Sequence, residues 1–431
     1  MFVLFPKPEL QHFIFFCHDR MLIQIITEFQ TPLRVEKSVK MVYNEKNKQE
    51  RDLRMIQRLH SSRKNKSATL RSVKKLDNNI YLLDYRNDYH LPELLNKGVS
   101  SIGELTAFAA DALTLGLRLF KPGTDQGAGC TTFEAFTAEG NHLLARNFDF
   151  KTAPCFVVWT HPDHGYASVS VADTNFMAYG NALRLHRHNR YRALLAPYCC
   201  VDGMNEKGLA IAVSQLRAKA TNQKDPGKKD ITTTAMIRTV LDTCADVDEA
   251  VALFQKYNMH DSLWTNYHYQ IIDASGRSVV IEYIDHTLHV YERGNSAYPV
   301  SGSVFEDDGL KQQYAANFSL TKDIGSFKIE QHGEDRIEAV KAVLRAKDGI
   351  LSEPEAMDLL SYVKLNYKHD KYPWSVNALW SAVYNTDAGT IKLVGNMDYR
   401  NIYTFKVHEP CKVLAHESID HSAYPDTKWS H

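Results

Sequence analysis

The stretch from Cys130 to Phe150 constrains this chain more than any other, because it reads as one β-hairpin with a nucleophile at its mouth. Thr131 to Thr137 alternates with β-branched and aromatic residues, Glu139-Gly140-Asn141 carries turn chemistry, and His142 to Phe150 resumes an extended pattern. Antiparallel strands joined this way return Cys130 to the end of the second strand, where Arg146 and Asp149 flank Asn147 and Phe148. A thiol attacks as the thiolate. A nearby guanidinium stabilises that anion, and a carboxylate can orient a neighbouring amine. Together the three residue types point to amide chemistry.

Cys130-Thr-Thr-Phe133, the turn glycine Gly140 and Ala145-Arg146-Asn147-Phe148-Asp149 resemble the start of the mature catalytic chain in the choloylglycine hydrolase and acid ceramidase superfamily of N-terminal-nucleophile hydrolases. Asp202-Gly-Met-Asn205-Glu-Lys-Gly208-Leu-Ala210 is similar to that family's turn between sheet strands, and Asp273 to Glu282 resembles a later hairpin. Arg336, opening a helix after Gly333-Glu334-Asp335, falls where the family places another active-site arginine. These matches run in chain order over about residues 130 to 400. The resemblance implies an α+β fold, the Ntn-hydrolase αββα four-layer sandwich of two antiparallel sheets with outer helices. It also implies a cysteine amidohydrolase that cleaves a linear, non-peptide C–N bond of a small-molecule N-acyl compound through an acyl-enzyme, with neither cofactor nor metal. An acyltransferase using the same acyl-enzyme, or a degenerate non-catalytic binding protein, are the alternatives.

In such an enzyme the first residue supplies both thiol and base, since a free α-amine has a pKa near ~8. Cys130 must then be released by self-cleavage of the Gly129–Cys130 bond, assisted by strain in the glycine loop Gly127 to Gly129. By the same resemblance Arg146 would stabilise the thiolate or a substrate oxygen, Asp149 would orient the amine, and Arg336 would anchor this network or a substrate carboxylate. For either arginine the plain alternative is a structural salt bridge. The family's oxyanion asparagines are replaced: the position after the Asp202–Ala210 turn is Gln215, and the one after the later hairpin falls near Val300-Ser301-Gly302-Ser303. Gln215 is therefore the candidate donor, with Gly302 behind it and backbone N–H groups as substitutes. Asn205 reads as a turn residue.

From Cys130 onward there are 302 residues, enough for one large catalytic domain (130–431), which leaves 129 upstream. Residues 1–75 hold sixteen Lys/Arg against seven Asp/Glu, so the remainder is acidic by nine charges although the whole chain is neutral. The basic part reads as a poorly ordered extension. Nucleic-acid binding is not expected, because no groove-reading motif or aromatic platform accompanies the charge. Residues 76–129 read as a folded segment, a propeptide or a retained small chain, with a strand at Ile80–Tyr85 and a helix from Ser101 to about Phe120. Met1 to Gln30 lacks both a ~20-residue apolar run and a signal-sequence pattern, so no membrane span and a cytoplasmic location are expected, with Met21 or Met41 as alternative starts. The seven cysteines are irregularly spaced and suit a reducing compartment. Homo-oligomerisation stays open.

Further helices are expected at Thr232–Cys244, Val247–Tyr257, Glu334–Ala346 and Ser352–Val363, between strands that include Ala210–Gln215, Tyr269–Ile272 and Leu379–Tyr384. His186 and His188 lack partners at metal-ligand spacing and read as part of a basic surface. Phe148, Phe156, Trp159, Tyr198 and Trp264 are read as core first and acyl-pocket lining second.

Overall fold

The computed structural model describes residues 14–17, 20–23, 63–114, 129–151, 153–177, 189–261, 265–292, 309–321, 325–368 and 375–419. The chain divides into two units, Met1–Lys64 and Asn65–His431. In the first, β1 (Ile14–Cys17) and β2 (Arg20–Ile23) pair as an antiparallel hairpin. Helix α1 (residues 63–72) leads into the second.

Two large sheets build the second unit. The upstream segment supplies β3 (Lys74–Lys75), β4 (Ile80–Tyr85), α2 (Leu91–Lys97) and α3 (Ile102–Thr114). The hairpin follows as β5 (Gly129–Phe136) and β6 (His142–Lys151), then β7 (Cys155–Thr160) and β8 (Ser168–Asp173). Next come β9 (Cys200–Asn205), β10 (Ala210–Ala218), β11 (Lys229–Thr232), α4 (Thr233–Thr243), α5 (Val247–Lys256) and β12 (Tyr257–His260). The middle strands are β13 (Asn266–Ile272), β14 (Ser278–Ile284), β15 (Thr287–Tyr291), β16 (Tyr314–Ala315) and β17 (Ile329–Glu330). Helices α6 (Glu334–Ala346) and α7 (Glu353–Tyr362) precede β18 (Asn366–Lys368), β19 (Ser375–Asn385), β20 (Thr390–Gly395), β21 (Ile402–Lys406) and β22 (Ala415–Glu417).

The first sheet runs β15-β14-β13-β10-β9-β8-β7-β4-β3 and the second β16-β5-β6-β19-β20-β21-β22. Helices α4 and α5 pack on the first, α6 and α7 on the second, giving four layers, α-β-β-α. The expected sandwich is therefore the observed one. Among the described strands of the two large sheets, one pairing departs from a purely antiparallel plan: β4 runs parallel to β7 over all six residues, from Ile80 opposite Cys155 to Tyr85 opposite Thr160. The upstream segment is thereby a member of the sheet. Folded structure also begins earlier than the composition suggested, since residues 63–75, assigned to the basic extension, form α1 and β3. Ser72 Oγ donates to the Asp84 carbonyl and Arg86 N–H donates to Thr69 Oγ1, so short polar side chains dock α1 on β4 where apolar periodicity is thin.

Helix starts follow their capping residues. Asp246 accepts from Glu249 N–H at 2.9 Å to open α5, and Ser352 with Glu355 forms a reciprocal capping box on α7. The expected helix from Ser101 is α3, ending at Thr114; residues 115–120 lie outside the described part. At the β9–β10 turn Asn205 is fully buried. Its Oδ1 accepts from Lys207 and Leu209 N–H, while its Nδ2 donates to the Leu241 and Cys244 carbonyls at the end of α4. One amide thus shapes the turn and ties it to the helix layer. Asn205→Ala would strand two carbonyls and two N–H groups, and we expect it to destabilise the fold by about 2–4 kcal/mol, read as a lower urea midpoint.

Candidate active site

In the hairpin Gly129 lies opposite Asp149, Cys130 opposite Phe148 and Thr132 opposite Arg146. Paired residues share a face and successive residues alternate, so Cys130 and Arg146 look toward the first sheet while Thr131, Asn147 and Asp149 look toward the helices. The contacts agree: Arg146 reaches Asp202 on β9, Asn147 Nδ2 donates to the Leu360 carbonyl on α7, and Asp149 meets Arg336 on α6. Cys130 thus stands between two buried guanidinium groups, one on each side of its sheet.

On the inner side, Arg146 Nη2 lies 3.6 Å from Cys130 Sγ, while its Nη1 pairs with Asp202 Oδ2 at 2.7 Å and donates to the Val201 carbonyl. Asp202 is held in turn by Trp380 Nε1 at 2.9 Å and Tyr384 OH at 2.7 Å. The guanidinium also lies over the rings of Phe148 and Trp380, which pack 4.4 Å apart. Every contact on Arg146 fixes its direction toward the thiol.

On the outer side Arg336 gathers the main chain of Cys130. Its Nη1 donates to the Cys130 carbonyl at 3.1 Å, Thr131 Oγ1 at 2.9 Å and Asp149 Oδ2 at 3.1 Å; Nη2 donates to Asn317 Oδ1 at 2.8 Å. Asn317 Oδ1 also accepts the Cys130 N–H at 2.9 Å, and its Nδ2 donates to the Gln215 carbonyl at 2.8 Å. Sequence reasoning missed Asn317. An asparagine does follow the later hairpin, but farther along than residues 300–303, the position of Gly302, which lies outside the described residues. The signal available was its place before the helix that carries Arg336.

Gln215 also differs from expectation. Strand β9 pairs with β10 only over Ala210–Ala212, so the next stretch of β10 offers a free backbone edge on that side. Cys130 and Asn317 occupy that edge: the Gln215 backbone N–H faces the thiol and its carbonyl holds Asn317. These contacts of Gln215 with the site run through its backbone, where the expectation was a side-chain donor.

Burial raises the Cys130 thiol pKa, against the pull of Arg146; Asp149 raises it further, and the Gln215 N–H and Arg336 lower it. Burial likewise pushes the Asp149 carboxyl up to about 6, opposed by Arg336 and Arg146. With its chain unbroken the site therefore keeps a protonated thiol. Gly129 shows no unusual backbone: it continues β5 and is not among the positive-φ glycines, so the expected strain is not seen at this residue, and residues 115–128 lie outside the described part. What Gly129 provides is space. A Cβ there would sit 2.3 Å from Leu365 Cδ1 and 3.1 Å from Asp149 Oδ2. Phe156, Trp159 and Tyr198 are buried core; His186, His188 and Trp264 fall outside the described residues. Among the described residues no group of three His, Cys, Asp or Glu could hold a metal, and no helix is long and apolar enough to cross a membrane.

The sequence profile of the linear amide C-N hydrolases, choloylglycine hydrolase family, matches residues 130–300. No curated protein matches the chain. Among solved structures, the chain is similar to a mutant of conjugated bile acid hydrolase from Clostridium perfringens at 15% identity, covering 68% of this chain and 99% of that one with a TM-score of 0.46. It is also similar to penicillin V acylase from Agrobacterium tumefaciens, at 18% identity with 64% and 86% covered and a TM-score of 0.40. For the Caenorhabditis elegans N-acylethanolamine-hydrolyzing acid amidase ortholog, identity is 14%, coverage 60% and 93%, and the TM-score 0.36. The profile match begins at Cys130, the residue the two arginines enclose, so over residues 130–300 this chain is similar to the linear amide C-N hydrolases of the choloylglycine hydrolase family.

Proposed function

We propose that Cys130 is an N-terminal nucleophile, freed by self-cleavage of the Gly129–Cys130 bond, that hydrolyses an N-acyl amide through an acyl-enzyme. The observation that carries this reading is the convergence of Arg146 on Sγ with Asn317 and Arg336 on the N–H and C=O of the same residue. In maturation the thiol adds to the Gly129 carbonyl and the C–N bond breaks. The acyl group passes to sulfur, and water opens the thioester to give a Gly129 carboxylate and a Cys130 α-amine. That amine lies beside Asp149 and Asn317, takes the thiol proton, and later returns it to the leaving amine. The thiolate attacks the substrate carbonyl, and water then releases the acid. The Gln215 backbone N–H and the second Asn317 Nδ2–H are the oxyanion donors, preorganised by their own hydrogen bonds. Asn317 beside Cys130 supports a catalytic reading over a degenerate binding protein.

The upstream segment stays after cleavage, because six buried residues of β4 pair with β7 and Tyr89 OH binds Asp242 on α4. Intact-mass measurement should give two associated fragments, ending at Gly129 and starting at Cys130, while Cys130→Ala remains a single inactive chain. Hydrolysis at full rate by an uncut wild-type chain would sink the mechanism.

Asn317→Ala should lower the turnover number on a chromogenic N-acyl amide by about a hundredfold or more, per alkylatable Cys130. Gln215→Ala keeps the backbone donor and should lower it less than about tenfold. Equal losses would return the donor role to the Gln215 side chain.

Asp149 binds its proton more tightly in the folded, uncut chain, at about 6, than its ordinary value of 3.8. Its contribution to stability is therefore full below that ordinary value and is lost as pH rises through about 6. Comparing Cys130→Ala with Cys130→Ala/Asp149→Asn, only the former should lose this increment between about pH 4 and about pH 7, read from urea midpoints. Parallel pH profiles would show that Asp149 is ionised throughout.

A further inference from the structure

We propose that His268 and Glu282, a buried pair on β13 and β14, are positioning residues for the nucleophile that act by clamping the segment on both sides of Asn317. The two residues face each other across the strands, with His268 Nδ1 at 3.6 Å from Glu282 Oε2 and side chains 1% and 0% exposed. Their remaining contacts converge on one stretch of chain. His268 Nε2 lies 2.6 Å from the Ala316 carbonyl, and since a carbonyl only accepts, this nitrogen carries the proton. Glu282 accepts from Ser319 Oγ at 3.2 Å, Leu320 N–H at 3.1 Å, Thr321 N–H at 2.7 Å and Thr321 Oγ1. Burial raises this carboxyl, but His268, Thr321 and Leu320 outweigh it, so it lies below the usual carboxylate range and stays ionised.

The residue between the two holds is Asn317, whose amide carries the Cys130 N–H, Arg336 and the Gln215 carbonyl. A side chain gripping three partners loses them together if its backbone slides. The segment is fixed to β5 by a two-residue strand, β16, with Thr132 Oγ1 donating to the Ala315 carbonyl, and Asn317 itself exchanges both backbone hydrogen bonds with His332 at 3.1 Å. The β16–β5 pairing ends before Asn317, and on either side of the single Asn317–His332 bridge His268 holds Ala316 and Glu282 holds Ser319 to Thr321. A buried polar pair adds little net stability compared with apolar packing. In strands rich in Tyr, Ile and Val, its distinctive product is five fixed contacts to this loop.

The inference rests on the proposed role of Asn317, so the experiment separates the two. Glu282→Gln, His268→Gln, Asn317→Ala and the double variants Asn317→Ala/Glu282→Gln and Asn317→Ala/His268→Gln are compared by turnover of an N-acyl coumarin amide. Rates are expressed per Cys130 labelled by iodoacetamide, with melting temperatures recorded in parallel. Each clamp variant should lower kcat about tenfold to a hundredfold with KM changed less than about threefold, and should add nothing further to Asn317→Ala. Glu282→Asp should recover part of the loss. Multiplying losses in the double variants, or a lower melting temperature with unchanged kcat per labelled site, would overturn the clamp while leaving Asn317 in place. Full turnover by Asn317→Ala would overturn the anchor and the clamp with it. Should Glu282→Gln not fold, His268→Gln carries the same comparison.

Discussion

Two guanidinium groups buried inside the sandwich set the terms for the rest of this structure. A buried unpaired charge is penalised by several kcal/mol, so Arg146 and Arg336 each demand a carboxylate at a fixed place. Arg146 on β6 takes Asp202 on β9 and so pins the second sheet to the first; Arg336 on α6 takes Asp149 and so pins the helix layer to the second sheet. Cys130 is the residue at which these two ties meet. Its thiol lies on the Arg146 side and its carbonyl on the Arg336 side. The charges that make the site chemically distinct are the same ones that fix how its layers stack.

Between the sheets the stretch from Gln313 to Thr321 works as a spline. The Gln313 carbonyl accepts from Glu134 N–H, its N–H donates to the Glu134 carboxylate and its side chain donates to the Ser278 and Tyr291 carbonyls, while Gln270 donates to the Gln313 carbonyl. Farther along, Ala315 is held by Thr132 and Ala316 by His268. A buried backbone must find partners for its polar groups, and here they come from strands of both sheets and, at Asn317, from His332. That double attachment makes the position of Asn317 a property of the whole sandwich. The gap where β9 leaves β10 matters for the same reason, since it frees the Gln215 edge that Cys130 and Asn317 use.

Local patterns carried much of this into the sequence. The alternation and turn around Gly140 specify the β5–β6 register, and with it the approach of Arg146 and Asp149 to Cys130. Caps at Ser101, Asp246 and Ser352 mark helix starts within a residue. What stayed hidden depends on contacts between distant residues. Asn317 meets Cys130 across 187 positions, and Trp380 and Tyr384 meet Asp202 across about as many, so no periodicity records them. Gln215 was identified as a residue but not by its group, because strand pairing that stops midway exposes a backbone edge that composition does not encode. The parallel β4–β7 pairing was equally invisible, since a run such as Ile80–Tyr85 fits either direction.

The cysteines show how far location outweighs residue type. Cys155, Cys199, Cys200 and Cys244 are as buried as Cys130, and in every one, as in Cys411, burial raises the thiol pKa. Desolvation alone would make all of them inert small core residues. Cys130 differs in having two arginines and a backbone N–H aligned against that effect, yet these do not reverse it while the chain is uncut. The missing element is a base. Chain scission at Gly129 would create one in the position already surrounded by Asp149 and Asn317, without moving a side chain into place. Under the proposed scission, a nucleophile built this way would be held inactive by burial and armed by a single bond change, which would account for a site so fully enclosed by charge before any substrate is present.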